Sequence, residues 1–354
     1  MKTRNDLLRV LRAAGIECTE IRAGNGWMVI APPLGARILG AGIGEENALW
    51  VAPRVSRGAW EAGGNAGGQR TWIAPEAGPR GFFFSADGSP WGVPAEIDPG
   101  NYAPAAAEEG WLSWRSAFTA RAADGARFPI AITRSMRIAR RPEEPDDGPV
   151  LCIRFRHTLE NTGSAPIDRR IGLWCVVQVP SELAGTILIP TRVETPAAAV
   201  RPYFGALPPG VLRAAGGVAY LKALGGRKYK VGVSSAESDG RIAFLGRSRT
   251  GTGRILVALR FPVDPSAAYL DKPSHGPEAE ELNGDPVQAY NDPGRNENAF
   301  SEIEAHAPAL VLAPGACQSF EIDMTIASAD ESAISKIIRR EVAAGVTDSE
   351  LFRD

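Results

Sequence analysis

Glu302 and Glu304 stand one residue apart, with His306 two further on, and of all residues here their types and spacing best suit chemistry. Residues 300–306 read as a β-strand, in which successive side chains point to opposite faces. Period two then puts both carboxylates and the imidazole on one face. A Glu-x-His pair held this way can keep an acid and a base close together, as proton transfer to and from a bound ligand requires. The same residues also fit the solvent face and end of an ordinary strand.

Arg70, Trp72 and Glu76 form a second constellation. A guanidinium offers a fork of donors to a sugar hydroxyl or a carboxylate, and an indole offers a flat apolar face to the C–H side of a pyranose. The alternative is a buried tryptophan beside an Arg70–Glu76 ion pair. Glycines at 63, 64, 67 and 68 would let backbone approach a ligand closely. Trp174 and Gln178 share a face of a strand within 171–179 and can line the same cleft, although Trp174 also reads as core. Glu76 with Glu304 is a carboxylate pair of the kind that serves glycoside hydrolysis.

His275 lies in the Pro/Gly-rich loop Asp271–Pro277, where exposure is the default and active-site loops also occur. His157 alternates in phase with Ile153, Phe155 and Leu159 and reads as core. Asp271, Asp285 and Asp292 offer hard oxygen ligands, but without the dense spacing of a dedicated calcium loop, so no metal and no other cofactor is expected.

These residues need a scaffold, and the pattern around them is that of strands. Gly (39) and Pro (28) punctuate short apolar runs from end to end, in the manner of an all-β protein with many turns. Ile16–Arg22 and Trp27–Ala31 read as a hairpin around Asn25-Gly26. Residues 150–160 and 171–179 form a strand pair, and further strands are expected at 112–121, 128–139, 218–224, 229–234, 241–246, 254–262, 300–306, 309–312 and 318–326. More than ten strands without intervening helices imply antiparallel sheets, since parallel strands need crossovers. Helices are expected only at the ends. One covers about 4–14, from the spacing of Leu7, Val10, Leu11 and Ala14; the other covers about 329–344, with a capping box at Ser328 and Glu331. The reading is one domain over 1–354, a large antiparallel β-sandwich with short terminal helices.

Composition excludes several classes. With 39 basic against 41 acidic residues, and the basic ones scattered, no patch is suited to neutralising a phosphate backbone, so nucleic acid is not an expected partner. Arg140-Arg141 and Arg169-Arg170, the densest basic spots, read as solvated charges. No apolar run reaches transmembrane length, and Met1–Gly15 lacks the apolar core of a signal peptide. Cysteines 18, 152, 175 and 317 are dispersed and read as buried thiols of a cytoplasmic protein.

A set of colinear segments resembles the galactose mutarotase-like (aldose 1-epimerase-like) superfamily, in an uncharacterised branch. They are Pro33–Leu39 with Asn47–Pro53, Gly67–Glu76, His157–Gly163 leading to Leu173–Val179, and Ala289–Asp292 leading to Phe300–Glu304. The match spans about residues 33–326, and the common order carries more weight than any one motif. The resemblance implies a galactose mutarotase-like β-supersandwich and a carbohydrate ligand. It also implies a late-strand glutamate as the base that takes the anomeric proton, here Glu304, or Glu302. The family's histidine-bearing motifs have no equivalent in this chain, so the resemblance assigns no acid. The alternatives at this level are an epimerase-like enzyme, a non-catalytic sugar-binding or sensing module, and a glycan hydrolase or lyase relative that uses Arg70 against a uronic acid.

Overall fold

The alternation of apolar residues and turn formers resolves into strands whose inner faces close over a shared core. A computed structural model describes residues 1–53, 64–84, 91–139, 148–183, 185–251, 253–271 and 284–352. Among them the strands in the first half are β1 (Thr19–Ala23), β2 (Gly26–Ala31), β3 (Arg37–Ile43), β4 (Gln69–Ala74), β5 (Ala103–Pro104), β6 (Leu112–Arg121), β7 (Arg127–Ala139), β8 (Val150–Asn161) and β9 (Gly172–Pro180). Then follow β10 (Thr186–Pro190), β11 (Arg201–Pro202), β12 (Leu212–Ala215), β13 (Val218–Lys222), β14 (Tyr229–Val233), β15 (Arg241–Arg247), β16 (Arg254–Arg260), β17 (Val287–Asn291), β18 (Phe300–His306) and β19 (Cys317–Ala329). The helices are α1 (Arg4–Ala13), α2 (Pro196–Ala199), α3 (Glu331–Glu341) and α4 (Asp348–Leu351).

The strands form two large antiparallel sheets. One has nine strands in the order β1-β2-β3-β4-β9-β18-β17-β14-β11, the other ten in the order β12-β13-β10-β15-β16-β19-β8-β7-β6-β5. Leu173, Cys175, Val177 and Val179 of β9 and Ile303 and Ala305 of β18 meet Ile153, Phe155 and Leu159 of β8 in the main core. His157 lies in that core, with its ring 5.7 Å from Phe155 and Nε2 3.4 Å from the Gln69 amide.

The outer faces are partly covered by the terminal helices. Leu7 and Leu11 of α1 pack on Trp27, Val29 and Leu39 at one end of the nine-stranded sheet. Ile334, Ile337 and Ile338 of α3 pack on Leu188, Tyr220, Leu245 and Leu256 of the ten-stranded sheet. The middle of the nine-stranded sheet's outer face has no helix over it among the described residues.

Several local expectations are corrected. The β1–β2 loop is Gly24-Asn25, because Ala23 pairs with Gly26, and the left-handed residue is Gly24 at φ 54°. The cap of α3 is Asp330, which accepts from the Ala333 amide at 2.9 Å. Ser328 is still in the ladder, paired with Ile255, because β19 runs on past the point where the helix was expected. Residues 309–312, between Pro308 and Pro314, make only an isolated bridge from Leu310 to Ile171. Cys152 and Cys175 are buried thiols, but Cys18 is half-buried and Cys317 exposed on the solvent face of β19. Residues 140–147, with Arg140-Arg141, lie outside the described residues. Arg169 of the other basic pair bonds Asp124 and Asp168.

Candidate functional site

Register alone assembles the site. Across β4, β9 and β18, Trp72 pairs with Trp174 and Trp174 with His306; Arg70 pairs with Val176 and Val176 with Glu304. Gln178 pairs with Glu302, Glu302 with Tyr290 of β17, and Tyr290 with Lys230 of β14. Residues level with one another across a sheet, or two apart along a strand, share a face. Their neighbours Ile73, Cys175, Val177, Ile303 and Ala305 fill the main core, so this set projects from the outer face. Arg70, Trp72, Trp174, Gln178, Glu302, Glu304 and His306 are thereby brought together, all of them buried.

Glu302 is held by two donors on one oxygen. Arg70 Nη2 lies 2.8 Å from Oε1 and Gln178 Nε2 2.7 Å from it. The guanidinium sits 4.0 Å above the Trp72 ring, and its Nη1 donates to Asn65 at 2.9 Å. Burial pushes the Glu302 carboxyl up; Arg70 opposes this and the charge of Glu304 adds to it.

Glu304 is fully buried and is held differently. Its Oε2 accepts from Trp174 Nε1 at 2.8 Å and lies 3.4 Å from the Lys230 ammonium. Burial would raise its carboxyl, but the Lys230 charge, with the Trp174 hydrogen bond, outweighs it and keeps Glu304 below the ordinary carboxylate value. His306 stacks on Trp174 at 5.2 Å, with Nε2 3.9 Å from Glu304 Oε2, beyond hydrogen-bond length. Burial lowers the His306 pKa, more than Glu304 restores it, so the ring is neutral at pH 7. Two carboxylates on one strand face are therefore pushed apart: Glu304 ionised, Glu302 the readier to hold a proton.

Lys230 links this pair to a loop. Its ammonium lies 3.2 Å from Glu76 Oε2 and 4.7 Å from the Trp174 ring. Burial disfavours the charge, but Glu304 and Glu76 more than compensate, and its pKa is raised. The Glu76 amide donates to Asp271 Oδ1 at 2.7 Å, and Trp91 Nε1 donates to Glu76 Oε1 at 3.0 Å. Burial, reinforced by the charge of Glu76, pushes the Asp271 carboxyl up to about 7. The Arg70–Glu76 ion pair weighed from the sequence does not form: Arg70 bonds Glu302, and Glu76 bonds Lys230.

Several buried polar atoms here have no hydrogen-bond partner: Glu304 Oε1, Gln178 Oε1, Gln288 Oε1, Asp271 Oδ2 and both His306 nitrogens. Such atoms are costly unless something satisfies them. Gln288 is level with Glu304 on β17, and its amide nitrogen is taken by the carbonyls of Asp271 and Asp285. Glu304 Oε1, Gln178 Oε1 and Gln288 Oε1 are acceptors, so a ligand that completes them has to bring donors, whereas Arg70 Nε and a protonated Asp271 call for acceptors. Among the described residues, no three or more His, Cys, Asp or Glu side chains are grouped to hold a metal ion.

Residues 21–350 match the model of the Family of unknown function (DUF6786). The chain belongs to that family. A search of curated proteins found no match. Among solved structures, the chain is similar to a galactose mutarotase-like protein from Lactobacillus casei, with TM-score 0.53 and 10% identity, covering 88% of this chain and 100% of that one. It is also similar to an Escherichia coli protein provisionally named an aldose 1-epimerase, with TM-score 0.53 and 11% identity over 88% and 99% of the two chains. A galactose mutarotase related enzyme from Lactobacillus acidophilus gives 0.50 and 9% over 89% and 98%. At such identities the likeness shows the fold alone, which is galactose mutarotase-like.

In this DUF6786 member the sequence left parts of the cleft unassigned. Lys230, Gln288 and Tyr203 were missed, and Asp271 and Asp285 were read only as conceivable metal ligands. Lys230 had a signal: a single lysine in the apolar strand Tyr-Lys-Val-Gly-Val, in phase with no other polar residue. Tyr203 comes from a loop, and its hydroxyl bonds the Asp271 carbonyl at 2.6 Å and Asp285 Oδ2 at 2.9 Å. His275 lies outside the described residues. Gly67 and Gly68 serve the chain's own packing rather than a ligand: a Cβ on Gly67 would sit 2.4 Å from the Trp50 carbonyl oxygen, and one on Gly68 2.3 Å from that of Ile38. No helix among the described residues is long and apolar enough to cross a membrane.

Proposed function

We propose that the outer face of the nine-stranded sheet binds a neutral sugar and interconverts its anomers, with Glu304 as general base and Asp271 as general acid. The observation that carries the reading is Glu304. It is a fully buried carboxylate kept ionised by Lys230, with one oxygen left without a partner among other unpartnered acceptors. Sugar hydroxyls supply the donors that those acceptors lack.

In this mechanism Glu304 takes the proton of the anomeric hydroxyl while Asp271 delivers its proton to the ring oxygen. The bond from the anomeric carbon to the ring oxygen breaks and the anomeric oxygen becomes a carbonyl. Rotation about the adjacent C–C bond and reclosure return both protons. Asp271 is proposed as the acid because its carboxyl, raised to about 7, still carries a proton near neutrality and its Oδ2 is unpartnered. His306, the acid considered from its position two residues after Glu304, is neutral and lies beside the base, where it stacks on Trp174.

Charge favours a neutral ligand over a uronic acid. Four described cations here already hold carboxylates: Arg70 with Glu302, Lys230 with Glu304 and Glu76, Arg37 with Asp98, and Arg201 with Asp285. A non-catalytic sugar-binding role is the second reading, favoured by the missing histidine motifs.

NMR anomer-exchange measurements on glucose, galactose and xylose decide between them. Glu304→Gln should slow exchange about 100-fold or more while binding changes less than about tenfold. Sugar binding without any exchange above buffer would leave only the binding role. Full exchange activity in both Glu304→Gln and Asp271→Asn would remove the proposed acid and base.

A further inference from the structure

We infer that two copies of this chain pair edge to edge through β1, antiparallel and in register about Ile21. A sheet edge offers unpaired backbone groups to another strand, and folded proteins blunt such edges by shortness, proline or charge. The nine-stranded sheet ends in β1 and β11, the ten-stranded sheet in β12 and β5. β11 and β5 have two residues each, one of them proline, and β12 has four. β1 is the longest of these edges, with five residues and no proline.

The hairpin sets which backbone groups of β1 point outward. Ala23 and Gly26 close the two-residue loop, and an antiparallel ladder alternates between hydrogen-bonded and non-hydrogen-bonded pairs. Ala23, Ile21 and Thr19 therefore bond Gly26, Met28 and Ile30, while the N–H and C=O groups of Glu20 and Arg22 face away from β2. Among the described residues, no other backbone group bonds them.

The side chains of the same two residues select the partner. Glu20 and Arg22 pair with Val29 and Trp27, on the face where α1 packs, and Ile21 pairs with Met28 on the core face. The Arg22 side chain is 58% exposed and that of Glu20 27%. Glu20 Oε1 lies 2.7 Å from Arg4 Nη1 and 3.8 Å from Arg22 Nε. When a second β1 is laid antiparallel about Ile21, Glu20 of each copy stands opposite Arg22 of the other and exchanges both N–H···O bonds with it. The charges then alternate around a square. Centred on Glu20 or on Arg22 instead, like charges stand directly opposite, which is destabilising. The two Ile21 side chains meet at a non-hydrogen-bonded pair, where side chains lie closest, and extend the rim of the main core against which Ile21 packs.

A strand pair this short buries less than a standard interface, so the dimer is weak, with a dissociation constant on the order of 10–100 µM. The test is small-angle X-ray scattering and sedimentation equilibrium of the full chain from about 5 to 500 µM, over which the mass should rise from monomer to dimer. Arg22→Glu gives an edge with two acidic side chains, and Glu20→Arg one with two basic side chains. Each should weaken the dimer at least about tenfold, and an equimolar mixture should recover it, because opposite charges then meet at both pairs. Circular dichroism checks that each variant is folded. Should Glu20→Arg lose its fold with the Arg4 contact, Arg22→Glu, at the more exposed position, decides alone. A native protein that stays monomeric throughout, a dimer as tight in Arg22→Glu as in the native protein, or two folded variants that remain monomeric when mixed would each overturn the inference.

Discussion

Replacing Lys230 by methionine tests the electrostatic logic of the site most directly. The side chain keeps its length and loses its charge. In the native protein the ammonium lies 3.4 Å from Glu304 and 3.2 Å from Glu76, with the Lys230 side chain 5% and that of Glu304 0% exposed, so solvent screens the Glu304 pair little. At an effective dielectric constant near 20, such a pair is worth about 4–5 kcal/mol before desolvation is counted. Removing one partner leaves Glu304 buried and charged, which typically costs about 3–5 kcal/mol. The pH dependence has a definite sign. Native Glu304 has a lowered pKa, so its contribution to stability is complete above the unfolded-state carboxylate value and is lost as pH falls through the lower folded one. Without Lys230, burial dominates and the Glu304 pKa rises above its unfolded value. The variant then regains stability as pH falls from 7.5 toward 5 and Glu304 takes up a proton. Urea unfolding should show a gap of about 3–5 kcal/mol between native and Lys230→Met at pH 7.5, narrowing at pH 5. A gap below about 1 kcal/mol at pH 7.5, or one equal at both pH values, would refute the assignment of Lys230 as the charge that keeps Glu304 ionised.

Asp271 carries the opposite sign. A buried carboxyl raised to about 7 contributes fully below its unfolded value and loses that contribution as pH rises toward 7, by up to about 4 kcal/mol. Asp271→Asn should therefore be more stable than the native protein at pH 8, with a flatter stability profile between pH 4 and 7; an unchanged profile by urea titration would count against the burial of an ionisable Asp271. Gly67→Ala should lower stability by about 2 kcal/mol or more, because it combines φ 91° with a Cβ pressed on the Trp50 carbonyl and Val51. A thermal midpoint within a degree of native would mean that the 50–51 and 67–68 segments can separate at little cost.

The sequence determined the fold class. Period-two alternation between abundant turn residues permits little except antiparallel sheets, and the terminal stripes of Leu7/Leu11 and Ile334/Ile337/Ile338 could bury themselves only as helices on those sheets. Parity within β18 likewise placed Glu302, Glu304 and His306 on one face, since alternation is a property of the strand itself. Turn register was less secure: a hairpin loop at Gly24-Asn25 and one at Asn25-Gly26 differ by a single residue of pairing. What the sequence could not supply was which face is buried where, and beside what. The closeness of Arg70 to Glu302, 232 residues apart, follows from β4, β9 and β18 being adjacent in the sheet. The contrast between two glutamates of the same strand is also tertiary. Glu302 faces Arg70 and Gln178, whereas Glu304 faces Lys230 and Trp174, and the reach of those partners at 2.7–3.4 Å sets which carboxyl holds a proton. Asp271 gained its raised pKa the same way, because a loop carboxylate is ordinary in water and becomes proton-holding only when folding buries it against Glu76.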